Sequence, residues 1–259
     1  MSRTSIAEIR ALKGKRKAVM ITAYDATSAK LVDNAADIAL VGDSVATTVQ
    51  GRQDTISVTM DQMIYHTRLV SENSAKAFVV GDMPFLSYQS SEVEALRNAG
   101  RFLKEGHAQA VKLEGGARMA RTVRALTEVG IPVMGHIGYT PQSVMTTGVK
   151  VNRSEDALLE DAALLQEAGA FSIVLEMIPA EISAKITDSL DIPTIGIGAG
   201  PYCDGQVLVF HDLLGFLPGF TPKFLRRYMN FFEDASEALG RFRDDVLSGD
   251  YPQDNESYH

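Results

Sequence analysis

Three acids in this chain stand where short apolar runs stop: Asp43 in Val41-Gly42-Asp43-Ser44, Asp82 in Val80-Gly81-Asp82-Met83, and Glu176 in Val174-Leu175-Glu176. Asp43 and Asp82 share one local context, and Glu114 follows a third such run. Carboxylates gathered in this way form a hard-oxygen cluster suited to Mg²⁺, which needs few protein ligands and keeps several waters. A lone Asp after a strand is more often a helix cap, but the repeated context favours the metal. Lys112 and Glu114 alternate on one run, so they share a face. Inside a core, these opposite charges must be paired or coordinated; a pair that only fills the core is the competing reading. Glu176 follows an unbroken apolar stretch, where desolvation would make it a better general base, or it caps the next helix. His136, in Gly135-His136-Ile137, can donate to a substrate oxygen or serve as a structural imidazole.

The elements that must carry these residues alternate in kind along the chain. Eight short, nearly all-apolar runs read as parallel strands covered on both faces: 18–23, 38–41, 77–80, 110–113, 132–135, 171–175, 193–197 and 206–210. Helical segments lie between them at 59–73, 91–105, 117–129, 155–167 and 180–189, with Gly106, Gly130 and Gly169 as C-terminal caps. An open doubly wound sheet would place a glycine-rich turn after the first strand. The turn here is Ala23-Tyr24-Asp25-Ala26-Thr27. The pattern therefore predicts one α/β domain over 1–259, a (β/α)8 TIM barrel. It has a lead-in at 1–17 and a C-terminal helical extension at 221–259 that closes the barrel bottom or packs on a neighbouring subunit. Active sites of such barrels sit where the strands end, and the residues above lie on consecutive strand ends. Gly196-Ile197-Gly198-Ala199-Gly200 suggests either a phosphate loop or tight backbone approach.

Composition narrows the partners. The 259 residues carry 25 Lys+Arg against 33 Asp+Glu, a net charge of −8, which disfavours nucleic acid and anionic membrane surfaces. The one cysteine, Cys203, excludes an intrachain disulfide and multi-cysteine metal sites, and a reducing compartment such as the cytoplasm suits it. No run approaches the ~20 apolar residues of a membrane span, and the N-terminal segment lacks a secretory apolar core. The basic cluster Lys13, Lys15, Arg16 and Lys17 reads as the solvated end of a first helix.

Taken in order, ITAYDATSAKL, LVGDSVATTVQG, VTMDQMIYHTRLV, VVGDMPFLSY, VKLEGG, VMGHIGYTPQSV, IVLEMIP, IPTIGIGAG and DGQVLVFHDLLG closely resemble the 3-methyl-2-oxobutanoate (ketopantoate) hydroxymethyltransferase family. The resemblance runs from Ile21 to Lys223 and continues loosely into the tail. It implies that Asp43 and Asp82 hold Mg²⁺ at the ketoacid, with Glu114 helping through water. Ser44 would contact the ketoacid carboxylate, Lys112 and His136 would touch the bound ketoacid, and Glu176 would accept the proton. It further implies transfer of a one-carbon unit from 5,10-methylenetetrahydrofolate to 3-methyl-2-oxobutanoate through a Mg²⁺-stabilised enolate, and assembly into a homo-oligomer, commonly a decamer. The chain departs from the family over 145–154, where a Gly-Gly-aromatic turn and a Gln-Gly-Arg segment are usual and Met145-Thr146-Thr147-Gly148 to Ser154 stand instead. Two other readings stay open. One is another Mg²⁺-dependent 2-oxoacid barrel enzyme, a carbon–carbon lyase or phosphonomutase of the isocitrate lyase group. The other is a non-catalytic small-molecule binding barrel.

Overall fold

The computed structural model describes residues 3–219 and 221–259. Eight parallel strands follow one another round a closed barrel: β1 (Ala18–Thr22), β2 (Ile38–Val41), β3 (Phe78–Asp82), β4 (Ala110–Glu114), β5 (Val133–Gly138), β6 (Ser172–Glu176), β7 (Thr194–Ile197) and β8 (Gly205–Leu208). β8 pairs back onto β1 and closes the ring. This is the (β/α)8 barrel expected from the alternation. Inward side chains of the pleat, among them Met20, Ile38, Leu40, Phe78, Val80, Met134, Val174 and Ile195, form the packed barrel core.

One element seals the lower end of that core. α1 (Ile6–Arg10) is nucleated by a capping box in which Ser5 and Glu8 satisfy each other's backbone. It buries Ile9 completely against the core, with Ile6 and Leu12 packed beside it. The helix ends at Arg10, so the basic cluster is not its solvated end. Lys13 reaches Asp204 at 2.8 Å and Arg16 reaches Asp37 at 2.5 Å. Those acids precede β8 and β2, so the cluster ties the lead-in to the strands' N-terminal ends.

Around the barrel run α2 (Ala26–Asp33), α3 (Val45–Thr48), α4 (Met60–Asn73), α5 (Glu92–Lys104), α6 (Ala120–Glu128), α7 (Val144–Thr147), α8 (Glu155–Glu167) and α9 (Ala180–Ser189). Local chemistry sets their starts: Asp25, Thr59 and Ser91 each accept a backbone N–H at an N-cap. The expected helix over 117–129 opens instead as a 3-10 turn, Ala117–Met119, before α6. Gly130 and Gly169 adopt the positive φ of C-terminal caps, 85° and 95°. Gly106 does not; α5 is capped by Glu105, and the left-handed residue is His107 at φ 56°.

The chain divides into two compact units, one through Phe210 and one from His211 to His259. α10 (Phe210–Leu213) begins at the division, and α11 (Phe231–Ser248) is the long helix of the second unit. The stretch Phe224-Leu225-Arg226-Arg227-Tyr228-Met229, expected to be helical, is turn and coil, and the helix begins only at Phe231. Among the described residues no helix is long and apolar enough to cross a membrane.

The plug makes a testable claim. Ile9→Ala should cost about 3 kcal/mol in urea unfolding, because it opens a cavity in a core that cannot fully collapse. A loss below about 1 kcal/mol would show that α1 contributes little to the barrel floor.

Candidate active site

The register of four neighbouring strands brings the site together. Parallel pairing sets Asp82 beside Lys112, Glu114 beside His136, and Gly138 beside Glu176. Lys112 Nζ donates to both oxygens of Asp82, at 2.8 and 2.9 Å, and both groups are buried. Asp43, at the end of β2, donates its backbone N–H to Asp82 at 3.2 Å. Asp43, Asp82, Lys112, Glu114, His136 and Glu176 thus share the upper mouth of the barrel. Ser44 sits at the rim, its hydroxyl 2.7 Å from that of Tyr24. Asp25, the acid after β1, is not part of the cluster; it is the exposed cap of α2.

Burial and crowding set the charge states. Burial pushes the Asp43 carboxyl well above its ordinary range, and Asp82 and Glu114 add to the rise; Lys112 and Gln142 oppose it. Asp82 is also raised by burial, against the pull of Lys112. Burial opposes the Lys112 charge, but the carboxylates of Asp82, Glu114 and Asp43 outweigh it, so its ammonium is held more firmly than usual. Burial acts on His136 in the same sense, yet Glu114 and Glu176 raise it to about 9. The two carboxylates favour the protonated ring. Nδ1 lies 3.5 Å from Glu114 and Nε2 3.1 Å from Glu176. Neither contact is aligned as a hydrogen bond, so the ring is held by charge and packing. Burial alone would raise Glu114, but His136 and Lys112 bring it below the usual range.

The setting of Glu176 differs from the purely apolar one expected, because the pairing of β5 with β6 places an imidazole against it. Its side chain is 16% exposed, against 2–5% for Asp82, Lys112, Glu114 and His136. It is the acid of this group that a substrate reaches most easily. Met177, the next residue, has φ 49°, a left-handed conformation that costs a non-glycine residue about 1–2 kcal/mol. Backbone bonds on both sides hold it: Met177 N–H to Ile197 O at 2.9 Å, and Asn152 N–H to Met177 O at 3.1 Å. The 145–154 segment is thereby fastened beside Glu176.

Gln142 is the residue that spacing did not single out. Its amide nitrogen donates to Asp43 at 3.0 Å and to Met83 O at 2.9 Å. Its amide oxygen accepts from Tyr88 at 2.7 Å, and its backbone N–H donates to Glu114 at 3.0 Å. Tyr88 itself accepts the Glu114 N–H. The available signal was a polar residue in the Thr140-Pro141-Gln142 turn after a strand, a position that was read only as part of a longer string. In the glycine run, an added Cβ at Gly200 would lie 2.4 Å from Ala180, so close backbone approach accounts for that glycine.

The acid cluster bears on a metal. Among the described residues no three His, Cys, Asp or Glu stand together at ligating geometry. Lys112 bonds both oxygens of Asp82, and Oδ1 keeps a lone pair beyond that bond. Beside it stand a buried Asp43 with a single side-chain donor and a Glu114 Oε1 with no hydrogen-bond partner. Four carboxyl groups face two cationic groups here. That imbalance, and the hard oxygen donors, fit a hydrated divalent ion held by one or two carboxylates.

A closed barrel whose ionisable groups converge at the C-terminal mouth defines an enzyme of the (β/α)8 class. A family model described as ketopantoate hydroxymethyltransferase matches residues 3–254, and the chain belongs to that family. It is accordingly a one-carbon transferase. The 3-methyl-2-oxobutanoate hydroxymethyltransferase of Trichlorobacter lovleyi is 50% identical over 260 residues, covering 98% of each chain. That of Desulforapulum autotrophicum is 53% identical over 248 residues, covering 95% of this chain and 94% of its own. Solved structures of similar fold include 2,3-dimethylmalate lyase, a PEP mutase/isocitrate lyase superfamily member (TM-score 0.60, 17% identity, 100% and 93% covered). Another is phosphonopyruvate hydrolase in complex with oxalate and Mg²⁺ (TM-score 0.64, 12% identity, 99% and 93% covered). At such identities they speak for the fold alone.

Gln142→Leu removes the side-chain donor of Asp43 and Met83 O and leaves Tyr88 only its bonds to the Glu114 backbone. Unfolding in urea should show a loss of about 2–3 kcal/mol, as for other buried polar groups stripped of donors. A loss within 0.5 kcal/mol, about that of a surface substitution, would mean water replaces the amide freely.

Proposed function

We propose that this chain transfers a hydroxymethyl group from 5,10-methylenetetrahydrofolate to 3-methyl-2-oxobutanoate, giving 2-dehydropantoate. The observation that carries the reading is the meeting of Asp43, Asp82, Lys112, Glu114, His136 and Glu176 at one barrel mouth. The family assignment supports the same substrate, and the relatives' names favour a transferase over a lyase or phosphonomutase.

The reaction must remove a proton from the carbon beside a ketone and join that carbon to a formaldehyde-level electrophile. Asp43 and Asp82, with Glu114 through water, are the residues that would hold Mg²⁺. Bound there, the ion supplies Lewis acidity to the ketoacid oxygens. Lys112 places a positive charge where negative charge develops on the ketoacid, and His136 offers its ring N–H there. Ser44 contacts its carboxylate from the rim. Glu176, the more open acid, takes the C3 proton; its Oε2 faces His136, and its other oxygen has no protein donor among the described contacts. Water adds its oxygen to the donor's methylene carbon and its two hydrogens to the donor's two nitrogens as both carbon–nitrogen bonds break; C3 then bonds to the formaldehyde carbon so released, and the proton held by Glu176 goes to its oxygen to give the hydroxyl.

Exchange of the C3 proton into deuterated water, followed by proton NMR without donor, isolates the first half. Glu176→Gln should slow this exchange at least about 100-fold while Mg²⁺-dependent ketoacid binding survives. Asp43→Ala should instead raise the Mg²⁺ needed for exchange by roughly tenfold or more, as loss of a charged ligand weakens a site of few ligands. Exchange at the wild-type rate in the first variant removes Glu176 as base, and an unshifted titration in the second removes Asp43 as ligand. Ketopantoate formed without methylenetetrahydrofolate would refute the donor.

We also propose that the enzyme is a cytoplasmic homo-oligomer, a decamer by family resemblance. In α11 no residue is buried, yet Phe231, Phe232, Leu239, Phe242 and Val246 lie along one side, 37–69% exposed. Such a stripe on an 18-residue helix calls for a covering surface. Sedimentation of the double variant Leu239→Glu, Phe242→Glu should show a smaller species than the wild type. A monomeric wild type at micromolar concentration would dispose of the assembly.

A further inference from the structure

A cleft of about 320 Å³ opens directly beside the acid cluster. Its inner end is formed by Tyr88, Glu114 and Gln142, so it shares two walls with the ketoacid site: Gln142 bonds Asp43 at 3.0 Å, and Glu114 faces His136. Its sides carry four apolar side chains, Ile56 after β2, Phe85 after β3, Met119 in the turn after β4 and Met145 on α7 after β5, with Gln89, Ser143 and Thr146 among them. At its rim stands Arg118, exposed, with no hydrogen bond or ion pair among the described contacts.

These features select one kind of occupant. The ketoacid is small and polar and is accounted for by the charged groups. An apolar slot continuous with that site fits the face of a flat ring system, which gains by burying both faces between hydrophobic side chains. The volume suits a bicyclic ring, and a longer molecule would extend past the open rim. The charge pattern agrees: the mouth is rich in acids, whereas the rim offers an unpaired guanidinium, the group suited to carboxylate. A carbon carried at the inner end of the cleft would lie next to the ketoacid.

We propose that this cleft holds the reduced pterin ring of the one-carbon donor, and that Arg118 engages the carboxylates of its glutamate tail. The assignment rests on the donor reading above.

Calorimetric titration in the presence of ketoacid and Mg²⁺ tests it, with tetrahydrofolate and 6-methyltetrahydropterin as probes. The second carries the ring without the tail. Arg118→Ala should weaken tetrahydrofolate about fivefold, the scale of a solvent-exposed ion pair, and leave the tail-less probe within twofold. Ile56→Trp should fill the slot and weaken both probes at least tenfold. If that variant loses C3 proton exchange, Met145→Trp takes its place, on a side chain 74% exposed. Proton exchange without donor reports on the ketoacid site in every variant. Both probes bound as in the wild type by a Trp variant that still exchanges would overturn the cleft. Equal losses of both probes in Arg118→Ala would overturn the tail contact. A wild type that neither exchanges nor makes product would instead sink the donor reading itself.

Discussion

An ammonium group sealed inside a barrel has to find carboxylates, and Lys112 finds both oxygens of Asp82 on the next strand. That bond anchors the site. It neutralises one acid of the mouth and fastens β3 to β4, while the pairing of β4 with β5 sets Glu114, two residues on from Lys112, beside His136. It also leaves Asp43 without a cation of its own. Removing one partner of such a buried pair would strand the other charge, typically a loss of about 3–5 kcal/mol. The pair is therefore as much a condition of the fold at the mouth as a tool of the chemistry.

From this arrangement comes an electrostatic asymmetry. On one side, Glu114 keeps an oxygen that the protein does not satisfy, and Gln142 is the side-chain donor to Asp43. On the other, the His136 ring is wedged between Glu114 and Glu176, whose carboxylates favour its protonated form. A substrate that turns anionic as it reacts meets positive charge already in place, with little reorganisation required. Gln142 holds the unsatisfied side in shape, since one side chain spans Asp43, Met83 and Tyr88 and its own backbone reaches Glu114.

Much of this was legible in the chain because buried parallel strands are almost wholly apolar, so a charged residue at their ends stands out. The barrel, its strand order and the meeting of six of the seven candidate residues were readable on that ground; Ser44 lies only at the rim. Strand ends were read short for the same reason. The expected runs stopped at Val80, Leu113 and Leu175, whereas Asp82, Glu114 and Glu176 complete the strands. A polar residue reads as loop until its partner across the sheet is known. Partners far apart in sequence were likewise invisible: Asp37 and Asp204 for the basic lead-in, and His136 for Glu176, whose surroundings looked purely apolar. The stretch before Phe231 has a helical period but forms turns, because periodicity alone does not supply the contacts a short helix needs.

Strands and loops divide the proposed reaction between them. Every group assigned to the ketoacid, Ser44 apart, lies on a strand or directly at its end, where register and burial set its position. The cleft assigned to the donor is walled by loops, and loops can change without disturbing the barrel. The segment 145–154 belongs to the second set: Met145 and Thr146 line the cleft, and Asn152 is tied to Met177 beside the proposed base. A change there can alter how the donor is gripped while the apparatus that takes the proton stays as it is. Among the described contacts it reaches the base through a backbone hydrogen bond, Asn152 N–H to Met177 O, and a backbone bond is indifferent to which side chain residue 152 carries. In the proposed reaction, strand chemistry is thus held by buried charge, and donor recognition is left to the connections above the strands.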